Sequence, residues 1–294
     1  MLLAVPNVSE GRSLDAVREI VNAFGSGAPV MLDFHFDTSH NRTAITLAGG
    51  TEGLSDALLA GARAVVGTVD MRDQAGAHPR IGALDVCPLV YLRPGDEEIA
   101  RCAALEVADA IAAQLAVPIF LYGELATSEE RRERAFFRRG GPAELARRMR
   151  DGELAPDRGP AGPHPTAGAT LVTARPPLAA FNLFLDTSDL EVAREIAAEL
   201  RESGGGLPGV RAIGLELENG IQVSTNVHDP VGVPLSRVVA EVERLGSARG
   251  AKPVLAEIVG LVPEAALEGF PVDVPFVDPD VDSHTIEQRL AELD

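Results

Sequence analysis

VRAIGLELENGIQVS, residues 210–224, contains two alternating apolar runs that meet at Asn219-Gly220. Asn-Gly is a strong signal for a tight hairpin turn, because both residues tolerate positive φ. The stretch therefore predicts two antiparallel strands, over 210–217 and 221–224.

The segments that flank this hairpin alternate between strand and helix patterns. Ser188-x-x-Glu191 is a capping box, which marks the start of a helix. In chain order we expect a strand over 179–185, a helix over 190–203, the hairpin, a helix over 235–248 and a strand over 253–259. This order is the β-α-β-β-α-β pattern of split-βαβ folds.

The first half of the chain repeats the order. Its patterns predict a strand over 2–5, a helix from Ser13 to Phe24, strands over 30–36 and 43–47, a helix over 54–66, a strand over 88–92, a helix over 96–115 and a strand over 117–122. We therefore expect an α+β protein with two subdomains, residues 1–176 and 177–294. Each is expected to have a ferredoxin-like sheet with helices on one face.

Charge and cysteine content limit the partners of the chain. Its 294 residues carry 26 Lys and Arg against 44 Asp and Glu, a net charge of -18. Such a field repels nucleic acid and anionic membranes, so we expect neither as a partner. Two cysteines do not make a disulfide framework, and no signal peptide or membrane span is recognisable. We expect a cytoplasmic protein.

A segment rich in arginine separates the two halves. Residues 131–150 contain eight arginines, and a Pro/Gly run follows over 159–168. One interpretation is a solvated helix and a linker. The other is a local positive field that attracts anionic ligands at a domain junction, where small-molecule clefts often form.

The densest polar group of the sequence runs from Asp33 to Arg42. On a strand, Asp33, His35 and Asp37 point to one face. Together with His40 they could ligate a divalent metal, or they could serve as acid and base. The simplest alternative is that these side chains lie on a solvent-exposed strand face and have no catalytic or binding function.

A second candidate is the loop that contains His78-Pro79-Arg80. Pro79 keeps His78 out of helical geometry, and an imidazole in such a loop can transfer protons near neutral pH. Arg80 could pair with a carboxylate in a fork geometry. A passive surface histidine beside a turn is the alternative.

Taken together, these motifs resemble the glutamate formimidoyltransferase (formiminotransferase) family, which in animals is fused to a cyclodeaminase. The resemblance covers nearly the whole chain. It rests on Val5–Gly11, Asn41-Arg42-Thr43, His78–Pro88, Leu121–Glu124, Ala155–Asp157 with Gly159-Pro160, Ala180-Phe181-Asn182, Gln222–Asn226 and Val259–Pro263.

The resemblance implies an activity and a site. The family transfers a formimino group between N-formimidoyl-L-glutamate and N5 of tetrahydrofolate in histidine degradation, as a homodimer without a metal. It implies that His78 is catalytic and that tetrahydrofolate is the co-substrate. The residues implied to bind folate are Gly159, Pro160, Ala161, Gly162, Pro163, His164, Pro165, Thr166, Ala167 and Gly168. Candidate substrate contacts are Asn7, Glu10, His35, Asn41, Arg42, Arg80 and Asn226.

The chain departs from the family pattern at three places. Ala77 replaces an acidic residue, and residues 73–76 lack a lysine; His35 stands in place of a carboxylate; the loop over 159–168 has no aromatic residue other than His164. Three alternatives therefore stay open: a related formyl or acyl transferase on glutamate derivatives, a folate- or anion-binding protein without catalysis, and a metal-dependent hydrolase. The last would use Asp33, His35, Asp37 and His40.

Overall fold

Residues 1–293, which the computed structural model describes, contain eleven β-strands and eight α-helices. They divide into two units, the first over Met1–Pro176 and the second beginning at Pro177. No helix among these residues is long and apolar enough to cross a membrane.

The first unit is built on a seven-stranded sheet. Its elements are β1 (Leu2–Ala4), β2 (Asn7–Val8), α1 (Leu14–Phe24), β3 (Val30–Asp37), β4 (Arg42–Gly49), α2 (Thr51–Thr68), β5 (Leu84–Tyr91), α3 (Glu97–Leu115), β6 (Ile119–Leu121), α4 (Arg134–Arg138), α5 (Gly141–Arg150) and β7 (Thr170–Arg175). β1 pairs antiparallel with both β4 and β5, and β3 pairs with β4. The order β5-β1-β4-β3 is the expected ferredoxin-like arrangement.

Local sequence explains why α1 and α2 form and pack together. The Ser13 hydroxyl accepts a hydrogen bond from the Ala16 backbone N–H at 3.3 Å, so Ser13 is the predicted N-cap. At the contact between the helices, a Cβ added to Gly61 would lie 2.1 Å from the Phe24 ring. Glycine at this position therefore allows the two helices to pack closely.

Two parallel strands and two helices extend this core. β7 pairs parallel with β5, and β6 pairs parallel with β7. Helices α1 to α3 cover one face of the sheet, and the side chains of Phe137, Leu145 and Met149 from α4 and α5 pack with Val86 and Leu171 on the other face. The sequence assigned no strand to β7, because a short strand buried on both faces does not alternate.

The second unit keeps the four-strand pattern without additions. It consists of β8 (Ala179–Leu185), α6 (Leu190–Leu200), β9 (Val210–Leu217), β10 (Gly220–Val227), α7 (Leu235–Ser247), β11 (Pro253–Ile258) and α8 (Ile286–Ala291). The strand order is β11-β8-β10-β9, and all the pairs are antiparallel. In both units the four strands of the β-α-β-β-α-β pattern therefore lie in the same order across the sheet.

Two local predictions for the second unit need correction. Gly220 pairs with Leu217, so the turn residues are Glu218 and Asn219 and the turn lies one residue earlier than predicted. Gly220 has φ 140° and begins β10. At the start of α6, Asp189 replaces Ser188 as the N-cap, because its carboxylate accepts the Glu191 N–H at the helix start.

Candidate active site

Three loops of the first unit are tied together by hydrogen bonds: residues 9–13 before α1, residues 38–41 between β3 and β4, and residues 69–83 between α2 and β5. The Asn41 side chain accepts from the Gly11 N–H at 2.9 Å and donates to the Ala75 carbonyl at 3.0 Å. Gln74 Nε2 donates to Glu10 Oε2 at 3.2 Å. These bonds fix the relative positions of the loops that carry the predicted site residues.

Arg80 is buried and holds two of these loops together. Its guanidinium donates to the carbonyl of Asn41 at 2.9 Å, to that of His40, and to that of His78 at 3.3 Å. A Cβ on Gly76 would lie 2.1 Å from Arg80 Nη2, so glycine is needed there. Arg80 therefore bonds backbone carbonyls, where the sequence suggested a carboxylate partner.

His78 lies on the third loop and is partly exposed. Its Nδ1 is 2.8 Å from the Pro79 carbonyl oxygen and 3.1 Å from Arg42 Nη1. A carbonyl only accepts and a guanidinium only donates, so the two contacts favour opposite tautomers. We assign the proton to Nδ1 on the shorter contact, and Arg42 then lies beside the ring without a hydrogen bond to it. In residues 1–293 no hydrogen-bond partner contacts Nε2, which leaves its lone pair available to accept a proton.

The surroundings of His78 favour the neutral imidazole. Burial first, and then the positive charges of Arg42 and Arg138, lower the pKa of His78 well below 6.5, although the hydrogen bond to Pro79 acts in the opposite direction. At neutral pH the side chain is therefore uncharged and can act as a general base.

Asp85 is the buried carboxylate beside this histidine. It has no exposed surface, and it accepts from Arg42 Nη1 at 2.9 Å, from Arg138 and from the Ile81 N–H at 2.8 Å. Burial alone would raise the pKa of Asp85, but the charges of Arg138 and Arg42 lower it to about 2. Asp85 is ionised and links the histidine loop to α4 through the two arginines.

Four arginines outnumber this single carboxylate. Burial lowers the pKa of Arg42 and of Arg175 to about 10 and lowers that of Arg134, so all three still carry a charge at neutral pH. Arg175 donates to the Pro176 carbonyl at 2.9 Å, and Arg134 has no carboxylate partner in the described part of the chain. With Arg138 these side chains form what we call the arginine cluster. Its excess positive charge suits an anionic ligand.

The other arginines of residues 131–150 have different functions. Arg131 pairs with Asp157 at 2.7 Å, and Arg147 pairs with Glu144 and Glu153 at 2.8 Å each. Of the two interpretations of this segment, the anion-attracting one therefore applies to Arg134 and Arg138, which lie beside Asp85 and His78, and not to Arg131 or Arg147.

The end of the Pro/Gly run lies against both ends of the loop that carries His78, residues 69–83. Thr166 O accepts the Met71 N–H at 2.7 Å, and Ala167 O accepts the Ala83 N–H at 2.9 Å. A Cβ on Gly82 would lie 1.9 Å from the Ala169 carbonyl oxygen, so the two backbones approach as closely as glycine permits. The loop over 159–168 is thus joined to the histidine loop within the first unit.

The remaining residues that were predicted to contact substrate lie in three different parts of the structure. Asn7 Oδ1 accepts from Arg42 at 3.3 Å, which places it beside the arginine cluster. Glu10 Oε1 accepts three backbone N–H groups of residues 11–13 and stabilises the start of α1. His35 lies on β3 opposite Ala44, and Asn226 lies on β10 of the second unit.

The geometry gives no support to a metal-dependent hydrolase. Within residues 1–293 no three side chains of His, Cys, Asp or Glu are grouped so that they can hold a metal ion. Asp37 contacts His40 Nδ1 at 3.1 Å, which is an Asp–His pair and not a ligand set.

Sequence reasoning did not assign a role to Asp85 or Arg175, and it considered Arg134 and Arg138 only as part of the arginine-rich segment 131–150. Asp85 lies in the motif that contains His78, seven residues further along, and only its complete burial distinguishes it from a surface carboxylate. The high density of arginine in residues 131–150 was the sequence feature that indicated an anion-binding role for Arg134 and Arg138. Arg175 ends a strand that was not predicted, so no signal was available for it.

Comparison with known proteins identifies the family of the chain. Family models described as "Formiminotransferase domain, N-terminal subdomain" and "Formiminotransferase domain" match residues 1–175 and 180–269. The chain is 36% identical over 268 residues to a glutamate formimidoyltransferase of Streptococcus pyogenes serotype M1, which covers 90% of this chain and 89% of the relative.

Two further relatives extend the similarity. A glutamate formimidoyltransferase of Thermoplasma acidophilum is 37% identical, with 90% of this chain and 88% of the relative aligned. A formimidoyltransferase-cyclodeaminase of Sus scrofa is 38% identical, but the alignment spans 90% of this chain and 50% of the relative. The chain therefore belongs to the formiminotransferase family.

Proposed function

We propose that the chain is a glutamate formimidoyltransferase, which moves the formimino group of N-formimidoyl-L-glutamate to N5 of tetrahydrofolate. Similarity to two relatives of that name over nearly their whole length supports the activity. The observation that carries the chemistry is a neutral His78 with a free Nε2 beside the arginine cluster.

The reaction needs proton transfer at two nitrogens. N5 attacks the formimino carbon of the protonated amidine, and the C=N π electrons move onto the terminal nitrogen. Nε2 of His78 takes the proton from N5. The bond from carbon to the glutamate nitrogen then breaks as that nitrogen is protonated, and the C=N bond forms again. General acid–base help of this kind contributes about a hundred- to ten-thousand-fold in rate.

The arginine cluster is suited to the carboxylates of the substrates. N-Formimidoylglutamate has two carboxylates, and the glutamate tail of folate also ends in carboxylates. We assign Arg134 and Arg175 to this contact, because neither pairs with a carboxylate of the described chain. Arg42 and Arg138 already share Asp85, which holds them in place.

Residues 159–168 are our candidate for the folate contact. Their end is fixed against residues 81–83, so a ligand on this loop would lie near the histidine loop. The ring of His164 accepts the Ala167 N–H at 3.0 Å through Nδ1 and thereby shapes the turn. Backbone groups, in place of an aromatic platform, would bind the pterin.

Calorimetry and turnover in one sample test this function. Tetrahydrofolate is titrated into the protein with and without N-formimidoylglutamate, and formation of 5-formimino-tetrahydrofolate is followed. We expect folate binding and turnover. If folate does not bind, the proposal is wrong; turnover with N-formylglutamate instead would identify the related acyl transferase.

The cellular setting and the oligomeric state are part of the proposal. Histidine degradation would supply the formimino donor in the cytoplasm, and the family pattern suggests a homodimer. Light scattering of the purified chain measures its mass in solution. A mass of one chain, 30.9 kDa, would contradict the dimer.

A further inference from the structure

We propose that His40, oriented by Asp37, is a second proton-transfer residue that protonates the departing glutamate nitrogen while His78 accepts the proton of N5. The inference rests on the proposed function and deepens it. None of the motifs that resemble the family gives His40 a role.

The two imidazoles lie close together in the first unit. The ring centroids of His40 and His78 are 6.3 Å apart, and the ring planes meet at 68°. A hydrogen bond to a reacting atom spans about 3 Å from a ring nitrogen, so this separation allows both rings to contact one substrate that lies beside them.

An ionised carboxylate fixes the orientation of His40. Nδ1 of His40 is 3.1 Å from Asp37 Oδ1, and the backbone N–H of His40 donates to the same oxygen. Burial would raise the pKa of Asp37, but these two hydrogen bonds and the charge of His40 lower it. An ionised Asp37 keeps the proton on Nδ1, so Nε2 is the nitrogen that can exchange a proton with substrate.

The backbone around His40 is tied to the loop of His78. Arg80 donates to the carbonyls of His40 and Asn41, and the Ala77 N–H donates to the Ser39 carbonyl at 3.4 Å. Asn41 has φ 50°, a left-handed conformation that closes the turn. Because the guanidinium of Arg80 holds both loops, the separation of the two rings is a fixed feature of the fold.

Two histidines divide the proton transfers of the reaction between them. His78 starts neutral and takes the proton that N5 loses when its bond to carbon forms. His40, in the imidazolium form that pairs with Asp37, gives the proton from Nε2 to the glutamate nitrogen as its bond to carbon breaks. Glutamate leaves as the amine, His78 returns its proton to solvent, and His40 takes one from solvent, so protons and electrons balance.

The first test compares turnover of wild type with His40→Asn and Asp37→Asn. We expect turnover to fall about a hundredfold in His40→Asn, at the lower end of the range for a general acid. Asp37→Asn should fall by a smaller factor, because the ring remains but its orientation is lost. His284→Asn, in the second unit and outside the family match, is the matched control.

Rescue by a soluble base separates chemistry from a structural role of the turn. We expect free imidazole to restore turnover in His40→Ala, because it can take the place of the missing ring beside Asp37. His284→Ala should not respond to imidazole, because His284 takes no part in the proton transfers.

The outcomes distinguish this inference from the proposed function. If wild type does not turn over formimidoylglutamate, the proposed function fails. If wild type turns over and folded His40→Asn keeps kcat within about twofold, the inference about His40 is wrong. Loss of turnover without imidazole rescue also overturns it, because a structural role would then explain the loss.

Discussion

The two units share one strand order but bury different kinds of polar group. The first buries charged and titratable side chains, among them Arg42, Arg80 and Asp85. In residues 177–293 the buried polar side chains are all neutral: Asn182, Gln222, Thr225 and Thr285. The same strand order is therefore compatible with charged or with neutral buried side chains. The chemistry of each unit depends on the loops that its strands carry.

The difference has an energetic consequence. In the first unit Asp85 pairs with two guanidinium groups, and removal of one partner leaves an uncompensated buried charge. In the second unit Asn182 and Gln222 donate to the carboxylate of Glu257 at 2.9 and 3.3 Å, and Gln222 Oε1 has no hydrogen-bond partner among residues 1–293. Substitutions in the two units should therefore have unequal effects.

The largest effect is expected from His78→Ala. The substitution removes the base of the first unit, so kcat should fall about a hundred- to ten-thousand-fold. The circular dichroism spectrum should stay unchanged, because His78 is partly exposed and lies on a loop. Turnover of formimidoylglutamate measures the effect.

A histidine of the second unit provides the control for this comparison. His284 contacts Asp278 at 3.1 Å and lies beyond the residues that the family models match. His284→Ala should keep wild-type turnover. If both variants lose activity equally, the assignment of chemistry to the first unit is wrong.

A smaller effect, on stability, is expected from Asp85→Asn. The substitution leaves Arg42 and Arg138 without their carboxylate, which should lower the free energy of unfolding by about 3–5 kcal/mol. Gln222→Leu in the second unit removes a buried carbonyl without a partner in residues 1–293 and the 3.3 Å bond to Glu257, which keeps its bond from Asn182, so it should change the free energy of unfolding by less than about 1 kcal/mol. Urea unfolding measures the free energy of unfolding of both variants. Equal decreases would contradict the difference between the two units.

Arg134→Gln should affect substrate binding more than chemistry. A charge-assisted hydrogen bond contributes about 1.5–3 kcal/mol, so KM for formimidoylglutamate should rise about ten- to a hundredfold. kcat should change less than KM, since Arg134 is the weakest of the positive charges that lower the pKa of His78. Arg194→Gln on the exposed surface of α6 is the matched control and should leave KM unchanged. An unchanged KM in Arg134→Gln would remove it from the carboxylate site.

Sequence periodicity predicted the fold best where chain neighbours determine structure. The hairpin of β9 and β10 and the Ser13 cap follow from residues within a few positions of one another. β7 was not recognised, because a parallel strand is stabilised by partners distant in the chain and has no alternation of its own.

The same division applies to the candidate site. His78 and residues 159–168 were identified through motifs, but their joining by backbone hydrogen bonds at 81–83 depends on the folded chain. Asp85 and Arg175 gain significance only through burial and charge balance, which a sequence without structure does not show. The Asp37–His40 pair was visible as a cluster, but its distance from His78 was not.

The smallest expected effect is the pH dependence of stability in the first unit. The pKa of His78 is lowered in the folded chain, so below pH 6.5 the unfolded chain binds a proton that the folded chain does not. Stability should therefore fall as the pH drops from 7 to 5, by at most about 1.4 kcal/mol per pH unit from this group. Asp85 does not contribute in this range, because its stabilisation is present above pH 3.8 and is lost only as the pH falls toward 2. Urea midpoints at pH 7 and 5 should differ less in His78→Ala than in wild type, whereas His284→Ala should keep the wild-type difference. Equal differences in all three proteins would mean that His78 is not held neutral by its surroundings.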